Sequence, residues 1–129
     1  RTLFGDNCAV CHGTDAKGGP GFPNLTTGSW MWGGDPQAIA ETIRVGINSA
    51  HPKSRVSQMM PFGRDKMLPP AEVDNVVDYV RTLSDPAAAK DLKPANLAAG
   101  KTVFDASCAS CHGKDGKGNL EVGGPDLTD

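Results

Sequence analysis

Cys8-Ala9-Val10-Cys11-His12-Gly13-Thr14-Asp15-Ala16-Lys17-Gly18 returns one hundred residues later as Cys108-Ala109-Ser110-Cys111-His112-Gly113-Lys114-Asp115-Gly116-Lys117-Gly118. The match extends upstream, where Phe4 corresponds to Phe104, and downstream, where Pro23-Asn24-Leu25-Thr26 corresponds to Pro125-Asp126-Leu127-Thr128 once two extra residues are allowed. The first copy runs on through residue 84, whereas the second has only Thr128 and Asp129 after Leu127. The repeat therefore divides the chain into a complete first domain, 1–84, a linker, 85–95, and the N-terminal part of a second domain, 96–129. A piece as short as the last is below the size that usually folds unaided.

Working outward from the repeat, the rest of the chain reads as helices joined by long loops. Asp35-Pro36 is an N-cap followed by proline at the first helical position, and Ile39, Ile43 and Ile47 recur every four residues. That pattern predicts a helix from about Pro36 to Val45, ended by Gly46. The strongest helix opens at Pro70-Ala71-Glu72, carries Val73, Val76, Val77, Val80 and Leu83 on one stripe, and is stopped by Ser84-Asp85-Pro86. Its stripe is expected to pack on a short helix through Leu3 and Phe4. Residues 85–95 have no apolar period, and Asn96 is expected to cap a further helix running through Phe104 to Ala106. No alternating strand pattern competes, so the fold class is all-α.

The composition sets limits. Thirteen basic residues against fifteen acidic ones give a formal charge of −2 and a pI near 5.9, which excludes the basic groove of a nucleic-acid-binding domain. Leu, Ile, Val and Phe together supply fewer than a fifth of the 129 residues, close to the level at which a chain lacks the apolar stock for a core. Gly and Pro number 16 and 10, so much of the backbone is loop. Something other than aliphatic side chains must fill the interior. No stretch is long and apolar enough to span a bilayer. The chain opens on Arg1 rather than Met, consistent with removal of an export signal or anchor.

Four cysteines in two Cys-x-x-Cys pairs, each followed directly by His, admit several chemistries. A redox disulfide of this spacing belongs at a helix start within a βαβ pattern, and no strands are evident. Zinc ribbons separate their pairs by some 15–20 residues, far fewer than lie between Cys11 and Cys108. Unreactive buried thiols would not explain the repeated histidine. Covalent c-type haem explains all three positions: the two thiols add across the porphyrin vinyl groups, and the adjacent His becomes an axial ligand of the iron. Two haem c groups, one per motif, also supply the missing apolar bulk. Cys8 and Cys11, then Cys108 and Cys111, are the attachment sites, and His12 and His112 the proximal ligands. The sixth ligand of the first haem must come from Met31, Met59, Met60, Met67 or His51. Trp30 and Trp32 are candidates to cover a haem edge, or are simply large core aromatics.

Residues 1–84 resemble a class I cytochrome c domain. More narrowly, Asn7 through Gly18, Phe22-Pro23-Asn24-Leu25, Trp30-Met31-Trp32-Gly33-Gly34, Ser57-Gln58-Met59 and Phe62-Gly63 resemble the dihaem cytochrome c subunits of cbb3-type cytochrome c oxidases, the FixP/CcoP family. The resemblance implies tandem class I cytochrome c folds, the second incomplete in these residues. It implies that the Pro23 carbonyl accepts the Nδ1–H of His12 and that Leu25 packs on the haem face, with Pro125 and Leu127 serving His112 alike. The family's Arg-x-Ser-x-Met pattern puts the sixth ligand of the first haem at Met59, with Met60 as the alternative. It implies electron relay from a soluble cytochrome c or a bc1-type complex to the monohaem cytochrome c subunit and the catalytic subunit of the oxidase, on the periplasmic face of the bacterial inner membrane. The family's membrane helix lies outside these residues. A soluble periplasmic dihaem carrier and, less favoured, a dihaem peroxidase are the rival readings.

Overall fold

The computed structural model describes residues 2–129. They form two compact units, 1–30 and 31–129, with no β-strand among the described residues.

In the first unit, helix α1 (Thr2–Asn7) and the single turn α2 (Ala9–His12) are separated by Cys8, whose φ of −118° breaks the helical path. Backbone continuity survives the break, because the Cys8 N–H still donates to Phe4 O at 2.9 Å. The segment after His12 then folds back on itself: Gly18 N donates to His12 O at 2.8 Å, and Leu25 N to Ala16 O at 2.8 Å. Asn24 closes the turn by accepting from both the backbone N–H and the hydroxyl of Thr26.

The second unit starts with α3 (Pro36–Val45), bounded as its caps dictate. Asp35 Oδ1 accepts from Gln37 N and Ala38 N at 3.1 and 3.0 Å, which satisfies two of the N–H groups left unpaired at a helix start. Gly46 takes φ +76° at the other end, a conformation costly for residues with a Cβ. Residues 46–57 form a loop pinned at its neck. Arg55 N donates to Gly46 O, Asn48 N to Arg55 O, and the Asn48 amide bonds both the N–H and the C=O of Ser57.

Helix α4 (Pro70–Ser84) is followed by a 3-10 turn, Pro86–Asp91, and by α5 (Pro94–Ser107) and the single turn α6 (Ala109–His112). Residues 85–95, read as a linker from their lack of period, thus contain a 3-10 turn. Asp85 Oδ1 accepts from Ala87 N and caps the turn. Helix α5 also starts two residues before the predicted cap: Pro94 occupies its first position and Lys93 the N-cap, which leaves Asn96 inside the first turn. A proline whose φ is already helical sets the start more strongly than an asparagine two residues on.

The core of this unit is the α4–α5 pair. Phe104 is wholly buried, Val103 nearly so, and the Tyr79 ring meets Phe104 with centroids 5.4 Å apart at 58°, the tilted geometry aromatic pairs favour. Gly100 lies against the backbone of Asn75, so close that no Cβ could occupy the space. The partner of α4 within this unit is thus α5, met through Asn75 and Tyr79. Chain length favours this partner. Only residues 85–93 connect α4 to α5, and closing a loop of about sixty residues instead would cost roughly 1–2 kcal/mol more in chain entropy.

Candidate functional site

The two Cys-x-x-Cys-His segments fold alike, bond for bond. His112 Nδ1 lies 3.0 Å from Pro125 O, and His12 Nδ1 lies 3.0 Å from Pro23 O. A carbonyl can only accept, so each Nδ1 carries the proton and each Nε2 presents a free lone pair, the tautomer a metal-ligating imidazole needs. The supporting turns repeat too. Gly118 N donates to His112 O at 2.7 Å and Leu127 N to Gly116 O at 2.7 Å; Asp126 accepts from the N–H and hydroxyl of Thr128, as Asn24 does from Thr26. The two extra residues of the second copy fall within 119–124, where Asn119 and Gly124 pair across the turn. That insertion leaves the histidine and its carbonyl partner undisturbed.

All four thiols are unpaired. Among the described residues no three His, Cys, Asp or Glu side chains converge as a metal-holding group, so the donor set a structural zinc site requires is lacking. Burial, and after it the nearby Cys111, pushes the Cys108 thiol above its ordinary pKa, which keeps it protonated near neutrality.

In the second unit His112 is buried and opens onto two cavities. The larger, about 510 Å³, is lined by Phe62, Leu68, Val73, Val76, Val77, Val80, Phe104 and Leu127, together with Cys108, His112, Met59 and Met60. The second, about 380 Å³, adds Ser57, Gln58, Cys111 and the backbone of Gly123, Gly124 and Pro125, and shares Met59, Met60, Cys108 and His112. Largely apolar clefts whose linings include two thiols, an imidazole and two thioethers fit a porphyrin bound through its edge and its iron. Cys108, Cys111, His112 and Leu127 are the residues that would hold it. In the first unit, the donor set Cys8, Cys11 and His12, with Pro23 and Leu25 behind it, is of the same kind.

Family comparison agrees with the donor set. The cytochrome c family model matches residues 1–84 and 97–129. The chain belongs to the cytochrome c family. It is 49% identical over its whole length to the cbb3-type cytochrome c oxidase subunit FixP of Bradyrhizobium sp. (strain ORS 278), covering 43% of that protein. It is 45% identical over its whole length to FixP of Bradyrhizobium diazoefficiens, again covering 43%. Against subunit CcoP of Cereibacter sphaeroides it is 42% identical over 98% of its length and 43% of the relative. The chain thus spans somewhat under half the length of the curated relatives it matches. An all-helical chain with two Cys-x-x-Cys-His turns is what a class I cytochrome c fold with a partial second copy looks like.

The remaining sequence candidates divide clearly. The resemblance paired Met59, or Met60, with His12; within the second unit both methionines line the cavities at His112, because α4 docked on α5 carries residues 57–62 over the second motif. Ring Nδ1 of His51 accepts from Lys53 N at 3.1 Å, a local turn contact. Met67 is about half exposed and lines neither cavity. The Arg55 guanidinium stands over the Trp32 ring at 5.2 Å, and that ring lies against Gly123, where a Cβ would collide with it. Sequence reasoning treated Val73, Val76, Val77 and Val80 as scaffold alone, yet they line the larger cavity. Their arc of about 100° is the ordinary apolar stripe of a packed helix, so the sequence carried no signal that separates a cavity wall from scaffold.

Proposed function

We propose that this chain is an electron-transfer module carrying two covalent haem c groups. Cys8 and Cys11 hold one and Cys108 and Cys111 the other, each thiol S–H adding across a vinyl double bond with its hydrogen going to the neighbouring carbon. His12 and His112 are the proximal ligands. Their protons on Nδ1 are held by the Pro23 and Pro125 carbonyls, which fixes each ring and raises its basicity, while Leu25 and Leu127 pack on the haem faces. Met59, with Met60 as alternative, supplies a thioether as a sixth ligand. When bound, the haem supplies one-electron ferric–ferrous chemistry. The protein's own contribution is to hold the iron six-coordinate, to exclude water with the α4 valines, and to raise the potential through a thioether ligand.

The likeness to FixP and CcoP supports placing the module in a cbb3-type oxidase, on the periplasmic face of the bacterial inner membrane. There it would take electrons from a soluble cytochrome c or a bc1-type complex and pass them to the monohaem cytochrome c subunit and the catalytic subunit. On its own it makes and breaks no substrate bonds; it is a relay. The observation that carries this reading is the duplicated proximal bond, His12 to Pro23 and His112 to Pro125, each beside two free thiols. Pyridine haemochrome analysis of denatured protein, matured in a host that attaches haem c, tests it: two covalent haems per chain are expected, and one or none overturns it.

A further inference from the structure

We propose that Trp32 and Ser57 are positioning residues for the second haem: they clamp Gly123, and through its turn they fix the Pro125 carbonyl that holds His112. The first motif supports its own carbonyl by other means, so the two irons are tuned by different parts of the chain. This rests on the two-haem reading above and deepens it.

The residues before the two prolines differ. In the first copy Phe22 precedes Pro23 and exchanges backbone bonds with Gly19 at 2.9 and 3.1 Å. Its ring, about half exposed, meets the His12 imidazole edge-on with centroids 6.0 Å apart. In the second copy Gly123 and Gly124 precede Pro125, and both are buried. Gly124 lies on the backbone of Cys111, and Gly123 turns the chain at φ +64°. Two side chains from far upstream close on that turn. The Trp32 indole fills the space a Gly123 Cβ would need, and Ser57 Oγ donates to Gly123 O at 3.3 Å. Trp32 is itself braced by the Arg55 guanidinium, 5.2 Å from its ring. Two residues beyond the clamp, Pro125 O accepts from His112 Nδ1 at 3.0 Å.

That last bond is a lever on the iron. The stronger it is, the more basic the imidazole, and the more the ferric state is favoured over the ferrous. Burial of His112 raises the electrostatic worth of the bond, and a carbonyl on a clamped turn cannot swing away from the ring. Trp32 lines neither of the cavities at His112, so its influence reaches the iron through the turn and not by shielding it from water.

The test uses the whole chain with its haems attached. Fewer than two covalent haems in the unaltered chain overturns the two-haem reading and this proposal with it; every later outcome bears on the clamp alone. In the ferrous low-spin protein, which is diamagnetic, NMR follows the Nδ1 protons of His12 and His112 separately. Ser57→Ala and Trp32→Leu are each expected to speed solvent exchange of the His112 Nδ1 proton about tenfold, the worth of one lost hydrogen bond, and to leave His12 unchanged. At a fixed poise the ratio of reduced to oxidised second haem should rise about threefold, which the one-electron factor of about 59 mV per tenfold converts to roughly 30 mV. Trp32→Phe keeps a ring against Gly123 and should restore most of the protection. Ser57→Ala removes a single hydroxyl, so it decides the matter even if Trp32→Leu fails to fold. Unchanged exchange and potential at the second haem overturn the proposal, and so does equal acceleration at His12 and His112, which marks general loosening.

Discussion

Gly100 of α5 lies against the carbonyl of Asn75 on α4 so closely that the Cβ of an alanine would overlap it, and would press on the Tyr79 Cβ at 2.8 Å. The crossing is set by backbone meeting backbone, which cannot yield as a flexible side chain can. Gly100→Ala is expected to destabilise the second unit by about 2–3 kcal/mol, lowering its melting temperature by roughly 10 °C or more. Gly5 in α1 has nothing near its Cβ position. Gly5→Ala is the control, expected to be neutral or to gain up to about 1 kcal/mol from helix propensity. Thermal melts followed by circular dichroism check both; equal effects would show that the close approach does not govern the packing.

The repeat offers a paired test where its two copies share a positive φ but not the residue. Ala16 sits at φ +61° where the second copy has Gly116 at +75°, and a Cβ in that region costs about 1 kcal/mol. Ala16→Gly should therefore slow amide exchange at Leu25, whose N–H bonds the Ala16 carbonyl, by up to about twofold after the entropy cost of glycine is subtracted. The reverse change, Gly116→Ala, adds a collision with Leu83 Cδ1 at 2.8 Å to the same strain. Its expected loss is about 2 kcal/mol, read as a lower denaturant midpoint.

Asp126 supplies the pH dependence. The Thr128 hydroxyl, and after it the Thr128 backbone N–H, holds its carboxyl below the ordinary value of 3.8. A carboxylate depressed in the folded state stabilises it above the unfolded pKa, and the contribution disappears as pH falls through the folded value. Acid should therefore loosen the turn that carries Pro125 and Leu127. Asn24 makes the same two bonds in the first copy without a titrating group. Asp126→Asn is expected to keep the turn and to flatten its acid sensitivity, checked by exchange at the Leu127 amide across pH 2.5–5, about the range over which such a group titrates. An unchanged acid profile in the variant would show that Asp126 is not its source.

Much of this architecture is legible in the sequence because it is local. The Asp35-Pro36 start and Gly46 stop of α3 need nothing beyond neighbours a few residues away, and α3 spans the residues they indicate. The histidine-to-proline bonds, which span 11 residues in one copy and 13 in the other, are implied by the family resemblance and not by spacing alone. The partner of α4 is not local. Its valine stripe states that an apolar face exists, but two related helices, through Phe4 and through Phe104, could cover it. Loop length and the small residue at 100 favour α5, and both are quantities of the chain as a whole. The placement of Met59 and Met60 follows that choice, so it too lies beyond motif reading. Trp32 was legible as a large aromatic, but its seat on Gly123 depends on a turn in the other repeat.

Arg55 joins the 46–57 loop to α3 and to Trp32, and its two contacts can be separated. Its Nε donates to Thr42 Oγ1 at 3.0 Å, anchoring the 46–57 loop to α3, while the guanidinium faces Trp32 at 5.2 Å. Lysine keeps the charge but has neither the Nε donor nor a planar face to stack. Arg55→Lys is expected to cost about 1–2 kcal/mol, combining one side-chain hydrogen bond with much of a cation–π contact. Thr42→Val removes that acceptor together with the bond the hydroxyl donates to Ala38 O at 2.9 Å, and should cost about 1–2 kcal/mol. The double variant should fall short of the sum by roughly the worth of the shared hydrogen bond. Denaturant midpoints of the three variants decide it: strict additivity would mean that Arg55 and Thr42 do not interact, and the loop would have to be held by the Asn48–Ser57 bonds instead.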